Sequence, residues 1–96
     1  MTPERREELR EWSAKLMNLP ENQWCVWQPD SPYYATGQIL SVVKKMRELG
    51  WKPFCVGNSA AFKTLPTVRK FRVTDWFQED TLPEAILEAA FATGVS

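Results

Sequence analysis

The sequence predicts a small α/β (α+β) domain whose helices pack a mixed three-stranded sheet, in the order α-β-α-β-β-α. Apolar residues recur at spacings of three and four in three stretches that also carry helix start and stop signals. Short apolar, β-prone runs lie between them. Size and composition agree with both observations. The chain has 96 residues, 44% hydrophobic and 25% charged, enough for one core and unlike the composition of disordered chains. Residues 1–96 therefore read as a single domain, with helix 1 (3–18) as an N-terminal addition to a core of 24–93.

Thr2-Pro3 supplies a cap and a first-turn proline, and Glu4 suits the positive end of the helix dipole. Leu9, Trp12 and Leu16 then share one stripe over residues 3–18. On the charged face, Arg6–Arg10 and Glu7–Glu11 are like-charge pairs one turn apart, offset by Glu7–Arg10 and Glu11–Lys15. Trp24-Cys25-Val26-Trp27 predicts a strand that Pro29-Asp30 ends. Ser31-Pro32 repeats the start signal, and a helix follows to Leu49. Its stripe is Ala35, Ile39, Val42, Met46 and Leu49, and Gly50 stops it.

Residues 51–57 predict a second strand, with Pro53 at an edge or start. Gly57-Asn58-Ser59 is turn chemistry, and 60–66 reads as a loop. Residues 67–74 alternate, which predicts a third strand with Phe71 and Val73 buried and Lys70 and Arg72 in water. A last helix spans 83–93, with Ile86, Ala89, Ala90 and Thr93 on one face. Strands one and two, joined through a helix, are expected to be parallel, and strands two and three antiparallel.

The formal charge is zero but unevenly spread. Residues 1–43 hold four basic and six acidic side chains, 44–74 hold eight basic ones and Glu48, and 75–96 hold five acids and no base. Two readings follow: the basic middle pairs with the acidic tail, or it is a binding patch. The absence of histidine excludes imidazole catalysis and histidine metal sites. Two isolated cysteines do not make a structural zinc site, and no glycine-rich phosphate loop is present. Glu84 and Glu88 read as one turn of a solvated face. Tyr33 and Tyr34 read as packing at a strand–helix junction, or as the frame of a ligand at a helix N-terminus. Cys25 and Cys55 in apolar strands read as reduced, unreactive thiols. No signal peptide or membrane span is present, so a cytoplasmic location is expected.

Three motifs carry a family resemblance: Trp27-Gln28-Pro29-Asp30-Ser31, Lys45-Met46-Arg47-Glu48-Leu49-Gly50-Trp51, and Asp80-Thr81-Leu82-Pro83-Glu84-Ala85-Ile86. Together they resemble the phage ABA sandwich domain family, small phage and prophage proteins of uncharacterised function, over residues 24–93. The resemblance implies a helix–sheet–helix arrangement and supplies no functional residues.

The resulting expectation is a non-enzymatic phage or prophage accessory protein. It would need no cofactor or metal and would bind a host or phage protein, inhibition of a host defence system being one form of this. The expected partner-binding residues are Lys70, Arg72, Trp76 and Phe77. The alternative is a nucleic-acid-binding or regulatory module using the basic 44–72 stretch.

Overall fold

Thr2 caps the first helix as its sequence requires, its Oγ1 accepting from the Arg5 N–H at 3.2 Å. The structure, a computed structural model, describes residues 1–31 and 35–95; the Pro32 helix start and the Tyr33-Tyr34 pair lie outside them. α1 spans Pro3–Leu16, α2 Ala35–Glu48 and α3 Leu82–Ala92. The three strands are β1 (Trp51–Val56), β2 (Ser59–Thr64) and β3 (Phe77–Gln78). The class is α+β, with a three-stranded sheet packed by helices, as expected. The sheet is antiparallel throughout, in the order β1-β2-β3, rather than mixed.

The first expected strand is a 3-10 helix, Glu21–Val26. A strand over 24–27 would send Trp24 and Trp27 to opposite faces. Their spacing of three, read helically, turns both indoles toward the start of the chain. Trp27 Nε1 donates to the buried Ser13 Oγ at 2.8 Å, and Trp24 Nε1 donates to the Leu19 carbonyl at 3.0 Å. With no strand here, the parallel crossover disappears as well.

β2 occupies the expected loop. Gly57, at φ 58, takes the first of two turn positions between Val56 and Ser59, where a two-residue hairpin wants glycine. Ala60 and Ala61 are weak strand formers, but Ala60, Phe62 and Thr64 place one strand face against α3. Residues 67–74 form no full strand. Val73 pairs with Lys63 in an isolated bridge, and the Thr74 N–H donates to the Phe62 carbonyl at 2.8 Å. From Lys63↔Val73 to Ala60↔Phe77, β2 advances three residues and its neighbour four. That extra residue is a bulge. Thr74 Oγ1 accepts the Phe62 N–H there at 2.9 Å.

α2 and α3 cover the same face of the sheet, and α1 packs on α3 away from the strands. α3 is consequently buried on every side from Glu84 to Ala90. The core gathers Leu9, Val42, Met46, Phe62 and Leu87, all fully buried, with Ile39 and Trp51 beside them. Glu84 and Glu88 are not solvated: they are 5% and 7% exposed. Glu88 accepts two hydrogen bonds from Arg5, at 2.9 and 3.1 Å, and Glu84 lies 3.6 Å from Arg6. Bonding to Glu88 raises the Arg5 guanidinium above its ordinary value. Arg10 binds Asp30 in a fork, at 2.7 and 3.0 Å. The acidic C-terminal segment thus meets the first helix, not the basic middle of the chain.

Candidate functional site

Antiparallel register assigns the strand residues to two faces. Trp51, Pro53 and Cys55 pair with Thr64, Phe62 and Ala60 and face the helices. Lys52, Phe54 and Val56 pair with Lys63, Ala61 and Ser59 on the opposite face, which no helix covers. Val73, opposite Lys63, belongs to that bare face. So does Trp76, because Phe77 beside it pairs with Ala60 on the helix side.

The expected burial of Phe71 and Val73 is overturned. They are 69% and 59% exposed, with Val56 at 69% and Trp76 at 57%. The alternation in 67–74 is real, but the sheet has helices on one side only, and these residues point to the other. Lys70 and Arg72 are also exposed, and Arg72 lies 5.5 Å from the Trp51 ring. Phe77 is half-buried and packs against the core. Of the four expected partner-binding residues, Lys70, Arg72 and Trp76 are at the surface and Phe77 is not.

Sequence reasoning counted Lys52 and Lys63 in the basic 44–72 stretch but missed that they pair. They sit directly opposite each other in the ladder, where like charges repel. Both lean on Phe54, two residues along β1 from Lys52, with Lys63 Nζ at 4.0 Å from the ring centroid and Lys52 Nζ at 5.6 Å. Among the described residues, no carboxylate lies within 4.0 Å of any of the eight cations of 44–74. At one end of the bare face is a groove of about 320 Å³, lined by Lys52, Lys63, Leu65, Val68, Arg69 and Phe71.

A larger cleft, about 510 Å³, lies between α1 and the 3-10 helix, with Trp24, Trp27, Arg6 and Arg10 in its walls. Its arginines are already committed to Asp30. Arg5, Arg6 and Arg10 against Asp30, Glu84 and Glu88 balance in charge, which makes this cluster a clasp for α1 rather than an anion site.

Cys25 and Cys55 are both exposed and not bonded to each other, Cys25 at the end of the 3-10 helix and Cys55 near the hairpin turn. Partial burial pushes the Cys55 thiol up. Among the described residues, no group of three potential metal ligands occurs and no helix is long and apolar enough to cross a membrane. Compared with family models, curated proteins and solved structures, the chain matches none.

Proposed function

We propose that this chain is a non-enzymatic accessory protein of phage or prophage type that works in the host cytoplasm by binding a protein partner through its helix-free sheet face. One observation carries the reading: Val56, Phe71, Val73 and Trp76, each more than half exposed, share the face that no helix covers. Soluble domains rarely leave contiguous apolar surface open unless something docks there, and interface energy concentrates in aromatic and arginine side chains. Inhibition of a host defence system is one role such a face suits.

The unneutralised cations favour nucleic acid as a second reading. Two features of the face argue for protein first. Val56 and Val73 offer no stacking plane, and Lys63 covers the Phe54 ring at 4.0 Å, which leaves Phe71 and Trp76 as the exposed aromatic planes of the face. The test is affinity capture from nuclease-treated lysate of cells expressing the protein, with wild type and Val73→Ser/Trp76→Ser as baits. A protein held by wild type and lost from the variant is expected. Equal retention by both baits, or capture that is seen only when the nuclease is omitted, overturns the reading.

A further inference from the structure

We infer that the groove at the end of the bare sheet face receives an apolar side chain from an acidic segment of the partner. This deepens the proposed function and rests on it.

The groove is preformed. The Leu65 N–H donates to the Gly50 carbonyl at 2.8 Å, and the Val68 N–H donates to Leu65 at 3.0 Å. Thr64 N–H bonds the Arg72 carbonyl at 2.9 Å, and the Arg72 N–H returns to Thr64 Oγ1 at 3.0 Å. Val68 packs so closely on Gly50 that a Cβ there would lie 2.9 Å from its Cγ2, and Gly50 itself sits at φ 93. A wall held by this many local contacts needs little ordering when a ligand arrives, which removes one cost of binding.

Its chemistry specifies the occupant. Leu65, Val68 and Phe71 make the interior apolar, and about 320 Å³ has room for an anchoring side chain rather than a folded element. Lys52, Lys63 and Arg69 line the same groove and meet no carboxylate of this chain among the described residues. The directly opposed Lys52 and Lys63 repel each other, so a carboxylate supplied between them relieves a repulsion already present. A segment with Glu or Asp on either side of a Leu or Phe satisfies both requirements, a mode of recognition in which basic clusters read acidic motifs.

The probe is a short synthetic peptide with a central Leu-Phe flanked by Glu residues, titrated by calorimetry against the full chain. Comparison ligands carry Ala-Ala in the centre, or Gln in place of Glu, and an oligothymidylate of equal charge tests nucleic acid. The acidic apolar peptide should bind. Either peptide change should weaken it about tenfold or more, the scale of one lost charge-assisted contact for Gln and of lost apolar burial for Ala-Ala. Lys52→Gln/Lys63→Gln should do the same, and Lys44→Gln/Lys45→Gln, on α2, should not. Circular dichroism melts establish that each variant is folded. No binding of the acidic peptide, equal loss in both lysine pairs, or tighter binding of the oligothymidylate each overturns the inference. If capture still depends on Val73 and Trp76 while the peptide fails, only the groove assignment falls. If capture fails while the peptide binds, the protein-docking reading falls.

Discussion

Arg10→Ala should be among the most damaging changes available on the partly exposed face of α1, and its cost can be worked from the contacts. Asp30 is 3% exposed and receives two aligned bonds from Arg10, at 2.7 and 3.0 Å. Arg6 Nε is 3.3 Å away but lacks hydrogen-bond alignment, so it supplies charge without a good bond. Two bonds to a charged group are worth roughly 3–6 kcal/mol together. Arg6 remains, and the Arg10 side chain is 32% exposed, so water enters the space it leaves. About 2–3 kcal/mol should survive these offsets, near the low end for breaking a buried pair. For a domain this size, urea unfolding should move its midpoint down by roughly 1–2 M. The same titration on Lys15→Ala, which breaks an exposed i,i+4 pair at 3.0 Å, should shift little, by about 0–0.5 kcal/mol. Arg10→Ala/Asp30→Ala should cost less than the sum of the single changes, since the second removes the charge stranded by the first. A single-variant loss under about 0.5 kcal/mol, or strict additivity, would refute the assignment.

Met46→Ala should cost about 2–5 kcal/mol by urea titration, because the side chain is fully buried, whereas the exposed Leu40→Ala should cost under about 0.5 kcal/mol. Both thiols should titrate with a disulfide reagent in the native protein, without denaturant, since both are exposed. Cys55 should respond at higher pH than an unburied cysteine thiol, because burial raises its pKa and holds back the thiolate that reacts; a Cys25→Ser variant isolates its profile.

The three helices were legible because stripe and end signals coincide, as at Thr2, which caps α1. What the stripe did not reveal is the use of the charged face. Arg6 and Arg10 read as a repelling pair, yet they converge on Asp30, which lies beyond any local rule. Trp24 to Trp27 carried two periods at once, and tertiary anchoring on Ser13 chose the helical one. β2 was hidden by two alanines of weak strand propensity, of which Ala60 faces α3 and Ala61 the bare side of the sheet. At the candidate site, alternation separated Phe71 and Val73 from Lys70 and Arg72 but assigned the first pair to the buried face, because nothing local says which side of a sheet the helices take. The Lys52–Lys63 opposition was available: counting outward from Gly57-Asn58 pairs them.

Arg5 reaches Glu88, and Trp12 reaches the Val95 carbonyl, each across 83 residues of chain. On the ribosome α1 emerges early, and its docking surface on α3 emerges only after the whole sheet has been made. At about 5–20 residues per second that interval is roughly 4–17 s. A helix of 14 residues is marginal in water without a partner, so Leu9, Trp12 and Leu16 stay accessible to chaperones and proteases throughout. α1 is thus made before α3 yet waits for it to dock, and a nascent chain stalled before α3 should be cleaved within residues 3–16 while the folded domain is not.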